Sequence, residues 1–387
     1  MNFRKMGRIA VAIVGMLGGV GIAQANEPVE RSGNALHVAV CARGVARDEA
    51  RCFAHVRVDA SGNPMPGKSQ GAAPMATPSG FGPSDLRSAY AITGSGSGSV
   101  VAIVDANGYA NAEADLATYR AQYGLPACTS ANGCFIKKDQ RGGTAYPRYN
   151  SGWAQEQALD LDMVSAMCPN CKILLVQADS ASFSNLAAAV NYAKNYAGVV
   201  AVSNSYGGGE SGSTSYASAY QKAGVAITVS TGDSGYGAQF PATAPGAIAV
   251  GGTNLKRASN TRGWAETAWT SGGSGCSASY AKPTWQTDSL CTNRMEADVS
   301  AVADPATGVA VYGPIGRGTA SGWLVFGGTS ASSPIIGGIY GVKGSGAANA
   351  AQSFWTATSG LNDVTSGSNG TTCGGTYFCV AGGGYDG

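Results

Sequence analysis

Between Val100 and Val250 short, β-branched apolar runs alternate with longer stretches of helical spacing, and no other feature restricts the fold as much. Val100 to Asp105, Ile173 to Gln177, Val199 to Ser203, Val225 to Ser230 and Ala247 to Val250 are brief and bounded by turn residues, as strands are. Between them, Asn111 to Tyr123, Trp153 to Met167, Ser184 to Ala197 and Ser213 to Lys222 repeat apolar side chains at helical intervals. Strands that alternate with helices run parallel, because parallel neighbours need a crossover connection. The expectation is an α/β fold: a mostly parallel sheet with helices on both faces, plus a short N-terminal extension. Ligands of such sheets lie beyond the carboxyl ends of the strands. Asp105, Ser205-Tyr206-Gly207 and Gly232-Asp233 fall there. After Gly252 the sequence is turn-rich and less regular until Ser330 opens an apolar helix through Val342.

The chain has 387 residues, 44% of them hydrophobic, enough for a sizeable core. A net charge of +2 with 12% charged residues supplies neither a basic surface for nucleic acid nor an acidic tail. The 58 glycines follow no fixed period, so they imply tight turns and close backbone approaches. Residues 1–25 read as an export signal: Arg4, Lys5 and Arg8, then the apolar Ile9 to Ile22, then the small-residue site Ala23-Gln24-Ala25. A membrane anchor is the other reading, weakened by a short, glycine-interrupted apolar run. The mature chain is expected to start near Asn26 and to act outside the cytoplasm, extracellular or periplasmic, off the membrane and as a monomer.

Residues 26–80 read as a short prosegment and linker, a small separate piece ending in the Gly/Pro/Ala/Ser-rich stretch Gly62 to Gly82; residues 81–387 form the main domain. The ten cysteines fall into local couples, Cys41/Cys52, Cys128/Cys134, Cys168/Cys171, Cys276/Cys291 and Cys373/Cys379. An even count behind an export signal favours disulfides. Cys168-Pro-Asn-Cys171 also has the form of a redox dithiol or half a zinc knuckle, but there is no second such motif, and His37 and His55 lie far upstream.

No histidine follows His55, so a Ser-His-Asp triad is excluded from the main domain and the commonest general base is missing. Ser330 follows the Gly327-Gly328 turn at the mouth of a helix, where close approach is easy and developing negative charge is favoured. Alone, it reads as an N-cap. Glu156 and Asp160 stand one helical turn apart and face the same side, able to share a proton; alone, they read as a solvated acidic face. Asp233 ends an apolar strand inside a glycine turn and reads alone as an Asx-turn residue. Together these supply a nucleophile, a base backed by a second carboxylate, and an acid able to donate to an oxyanion.

Five motifs, in this order and spacing, resemble the sedolisin (serine-carboxyl peptidase) family, from about Tyr90 onward. They are Glu156-x-x-Leu159-Asp160, Ser203-Asn204-Ser205-Tyr206-Gly207, Ser230 to Gly235, Ala297-Asp298-Val299-Ser300-Ala301, and Gly328-Thr329-Ser330 with Pro334. The resemblance implies a subtilisin-like fold, Ser330 as nucleophile, Glu156 as general base, Asp160 as its support and Asp233 as oxyanion acid. It implies polypeptide substrates and an acidic pH optimum. Tyr206-Gly207 after a strand, with Trp153 and Trp323 near the catalytic motifs, offers an edge that could pair with substrate backbone, and the aromatics read equally well as core. The resemblance also implies one structural Ca²⁺ held by Asp363, Val364, Gly382, Gly384 and Asp386, oxygen donors of the kind calcium takes. Relatives carry a long folded prosegment and continue beyond the last of these positions. The expectation here is therefore a chelator-sensitive calcium site and a reduced prosegment. Beside an endopeptidase stand a tripeptide-removing exopeptidase and a silent peptide-binding protein. Glycoside hydrolysis by paired carboxylates fits poorly, because Glu156 and Asp160 sit on one helix.

Overall fold

The sheet at the centre of the molecule has seven strands in line, in the order Trp264–Ala268, Ile248–Arg257, Ala226–Ser230, Val199–Asn204, Val100–Ala106, Lys172–Ala178 and Phe135–Asp139, with Val299–Val302 beside the second. All neighbours are parallel except the first pair. This is a computed structural model, which describes residues 27–43, 46–67, 78–316 and 320–384. The export signal, Asn26 and Asp386 lie outside the described residues. The expected α/β fold with a mostly parallel sheet is what the chain adopts.

Val100–Ala106 is buried along its whole length, as a central strand covered on both faces must be. The helix Ser151–Met167 is buried all round apart from its first residue, and begins where the Asn150 side chain accepts the Trp153 amide at 3.1 Å. It packs against the helix Thr329–Lys343. A Cβ on Gly338 would sit 2.6 Å from Met167 Cβ, so only glycine permits this spacing of the two helices. Among the described residues no helix is long and apolar enough to cross a membrane.

Three expectations need correction. Ser213–Tyr220 is a 3₁₀ helix, not an α-helix. The turn-rich sequence after Gly252 holds further strands, Gly275–Ala281 paired with Asn293–Glu296, and Val309–Pro314 paired with Ser321–Gly327. Their residues are not the long β-branched runs of a central strand, which hid them. Nor is the N-terminal stretch structurally separate. Glu30–Ser32, Ala35–Ala39 and His55–Val58 join Ser321–Gly327 and Val309–Pro314 in one antiparallel five-stranded sheet. Its strands are too short to bury their apolar face alone and cover it against the main body instead. All ten cysteines form the expected five disulfides, Cys168–Cys171 included.

Candidate active site

Gly328 precedes the helix Thr329–Lys343 with φ +96°, a left-handed conformation that suits glycine. The turn delivers Ser330 into the interior, where it is fully buried. Its Oγ donates to the Ser205 carbonyl at 3.2 Å. Pro334 has no N–H to return to the carbonyl of Ser330, so the first turn is tied instead by side chains. Ser230 Oγ donates to the Thr329 carbonyl at 2.8 Å, and Thr329 Oγ1 accepts the Gly232 amide at 3.2 Å.

Glu156 and Asp160 both lie on the helix Ser151–Met167 and are fully buried rather than solvated, and Glu156 is hydrogen-bonded with Ser330. Asp160 Oδ1 accepts from Ser205 Oγ at 2.8 Å, so Ser205, whose carbonyl accepts from Ser330 Oγ, links the acid to the hydroxyl. Burial pushes Glu156 well above the ordinary carboxyl range and the charge of Asp105 pushes it further; hydrogen bonding with Ser330 and the Ala54 amide opposes the rise. Asp160 is raised by burial, then by Asp105 and Glu156. Asp105, at the end of Val100–Ala106, is raised by burial, and neither of its buried oxygens has a hydrogen-bond partner. Three carboxyls in one dry cluster oppose one another's ionisation through their charges, so they titrate as a group.

Asp233 lies on the turn after Ala226–Ser230. Its Oδ1 accepts from the amide and hydroxyl of Thr329 at 2.9 and 2.7 Å. Burial pushes its pKa up to about 7 against those hydrogen bonds. Oδ2 is buried without a hydrogen-bond partner, 3.4 Å from His55 Nε2. The structure therefore brings all four expected side chains, Glu156, Asp160, Asp233 and Ser330, to one place.

What fills the space between them is the chain's own N-terminal segment. Arg51–Cys52 pairs antiparallel with Tyr206–Gly207, the very edge expected to take a substrate backbone. Beyond it, the Phe53 amide donates to Ser330 Oγ at 3.1 Å and to the Ser205 carbonyl at 3.3 Å, and the Ala54 amide donates to Glu156 Oε2 at 2.9 Å. Of the two tryptophans, Trp153 is buried 6.2 Å from the Tyr206 ring. Trp323 packs among Tyr119, Tyr123 and Tyr312, away from that edge.

Three residues escaped the sequence reading. Asp105 carried a signal, an acid closing a central strand, without an assigned partner. His55 lies far upstream of the catalytic motifs in sequence, yet the strand His55–Val58 places it against Asp233. Phe53 carried no signal.

Of the calcium positions, Asp363 Oδ2 accepts the Gly384 amide at 3.2 Å, which brings the two stretches together at the surface. The described donors, the Asp363 carboxylate and the carbonyls of Val364, Gly382 and Gly384, are all oxygen, which fits a hard cation.

A model of the subtilase family matches residues 142–359. Kumamolisin of Bacillus sp. (strain MN-32) is 30% identical over 307 residues, covering 70% of this chain and 52% of kumamolisin. Sedolisin of Pseudomonas sp. (strain 101) is 33% identical over 199 residues, 42% of this chain and 32% of sedolisin. The chain thus spans about half the length of the first relative and about a third of the second. Among solved structures, Pseudomonas sedolisin (serine-carboxyl proteinase) complexed with two molecules of pseudo-iodotyrostatin matches with a TM-score of 0.66 and 24% identity, over 80% of this chain and 94% of that one. At that identity the likeness is one of fold.

Proposed function

We propose that this chain, which belongs to the subtilase family as a sedolisin-like member of it, is an exported serine-carboxyl endopeptidase active in acid. Ser330 attacks the substrate carbonyl, Glu156 takes its proton and returns it to the leaving nitrogen, and Asp160 holds the proton balance of Glu156. Asp233 donates from Oδ2 to the oxyanion. Asp105 acts on Glu156 and Asp160 through charge alone, as a positioning residue.

One observation carries the reading: a peptide backbone already lies in the site, with Ser330 on one amide and Glu156 on the next. The polypeptide continues on both sides of that point, into Arg51–Cys52 and His55–Val58. A site that admits chain in both directions suits an endopeptidase; removal of tripeptides would need one end closed. The filling of all four chemical positions favours an enzyme over a silent binder.

The same occupancy supports residues 26–80 as a prosegment and the described form as latent, since no second polypeptide can enter while this segment lies there. Asp233 can donate only while protonated. With a pKa of about 7 it does so below neutrality, and activity falls as pH rises through that value. Calcium, when bound by Asp363, Val364, Gly382 and Gly384, with Asp386, would tie the C-terminal turn and supply stability rather than chemistry.

Incubating the full chain and Ser330→Ala with a denatured protein at about pH 4, then mapping the products by mass, tests the proposal. Internal fragments from the first and none from the second are expected. Equal digestion by both, or by neither, would refute it.

A further inference from the structure

We propose that the peptide bond between Phe53 and Ala54 is cut by the chain itself, and that the pocket around Phe53 selects an aromatic residue on the acyl side of substrates. The inference rests on the peptidase reading and deepens it, because it names a bond and a side-chain class.

Of all the bonds in the described segment, this one is bracketed. Its acyl residue has its amide on Ser330 Oγ at 3.1 Å, and its leaving nitrogen lies 2.9 Å from Glu156 Oε2. The third member is Asp233. A Cβ built on Gly328 would fall 1.9 Å from the Phe53 carbonyl oxygen and 2.7 Å from Asp233 Oδ2, so both oxygens border the space that the missing side chain leaves open. The carboxyl oxygen lacking a hydrogen-bond partner therefore lies next to the carbonyl that becomes an oxyanion. Substrate positioning of this kind supplies a large part of a peptidase's rate.

The step balances without an outside reagent other than water. Ser330 Oγ passes its proton to ionised Glu156 and bonds to the carbonyl carbon of Phe53, while protonated Asp233 donates to the oxygen. The carbon–nitrogen bond to Ala54 then breaks as Glu156 returns the proton to that nitrogen. Water hydrolyses the resulting ester, freeing the Phe53 carboxylate and restoring Ser330.

The Phe53 ring is fully buried. A Cβ on Gly207 would lie 2.9 Å from its Cε2 and Cζ, and one on Gly232 would lie 3.6 Å from Cζ. A Cβ at Gly207 would therefore crowd the ring, while one at Gly232 would only touch it, so the bare backbone of Gly207 is what makes room for an aromatic side chain. Across the ring, the Arg51 guanidinium sits 5.1 Å from the centroid.

Cleavage leaves Cys41 and Cys52, joined by a disulfide, in one product, and leaves His55–Val58 in the other, still paired with Ser321–Gly327. Intact mass under denaturing conditions is therefore the readout. The full chain, Ser330→Ala, Phe53→Tyr and Phe53→Asp are shifted to about pH 4 and sampled over time, with hydrolysis of an added denatured protein followed in parallel. The first cut should separate Phe53 from Ala54, at a rate independent of protein concentration, and be absent in Ser330→Ala. Phe53→Tyr should match wild type, and Phe53→Asp should slow that cut by at least about tenfold. Fragments of the added protein should end mainly in Phe or Tyr. Digestion of the added protein with the Phe53–Ala54 bond left whole, or with no aromatic preference, overturns this inference and leaves the peptidase standing. Absence of any hydrolysis, of itself or of the added protein, overturns the peptidase reading as well.

Discussion

The backbone N–H of Phe53 donates to Oγ of Ser330 at 3.1 Å, joining residues 277 apart in sequence. Everything expected of the site's chemistry can be tested by perturbing what surrounds that contact.

Asp233→Asn retains a hydrogen-bond donor that never ionises. Part of the activity should survive in acid, and the fall near pH 7 should disappear, because the carboxyl responsible for it has a pKa of about 7 in wild type. Asp233→Leu removes the donor and should cost about 10²–10³ in kcat. Profiles of kcat/KM against pH for the three proteins check this; a fall near neutrality that persists in Asp233→Asn would exclude Asp233 as its source.

Glu156→Gln cannot take the proton of Ser330 and should lose about 10²–10⁴ in kcat with KM little changed. Asp105→Asn removes an acid whose charge raises Glu156, and Asp160→Asn removes one whose charge interacts with that of Glu156. Both should keep measurable activity and move the acid limb of the pH profile downward, since Glu156 then ionises more easily. Unmoved acid limbs in both variants would show that the three carboxyls do not titrate together.

His37 and His55 lie with their Nδ1 atoms 2.9 Å apart in the buried N-terminal sheet. Burial lowers His37 against the charges of Glu30 and Asp304 and together with that of Arg43; burial, then His37, Arg51 and Arg43, lower His55. A histidine with a depressed folded pKa binds protons more readily unfolded. Its share of stability is intact above the unfolded value of about 6.5 and drains away as pH falls towards the folded value. The buried carboxyls carry the opposite sign: Asp105, Glu156, Asp160 and Asp162 are raised, so their contribution is present in acid and lost as pH rises through their folded values. Acid should therefore loosen the N-terminal sheet while the central sheet holds. Hydrogen exchange on full-length Ser330→Ala at about pH 7 and about pH 4, corrected for intrinsic rates, should show lost protection at Ala35–Ala39 and His55–Val58 but not at Val100–Ala106. Uniform loss across all three would contradict it.

Chelation should lower the thermal midpoint of the full chain, and Asp363→Asn should do the same without chelator, because the first removes the proposed ion and the second its carboxylate ligand. Added Ca²⁺ should reverse the first effect and not the second. A midpoint indifferent to chelator would argue against a calcium ion at this turn.

The central sheet was legible because its rules are local. Val100–Ala106 and Lys172–Ala178 announce themselves by β-branched runs, and Trp153 to Met167 by helical spacing, each readable within one short stretch of sequence. The cysteine couples were legible for the same reason. The strands after Gly252 were not, since Val309–Pro314 and Ser321–Gly327 are identified by pairing with each other and with His55–Val58.

By itself, the sequence determined which chemical groups are available and excluded a histidine base from the main domain, because residue types and short-range periodicity do not depend on how the chain packs. Only the tertiary structure decided that Ser330, Glu156, Asp160 and Asp233 meet, that Asp105 and His55 join them, and that Phe53 and Ala54 occupy the cleft. Convergence depends on helix spacing at Gly338 and on strand register between segments hundreds of residues apart, which long-range burial and hydrogen bonding select and which no local pattern records.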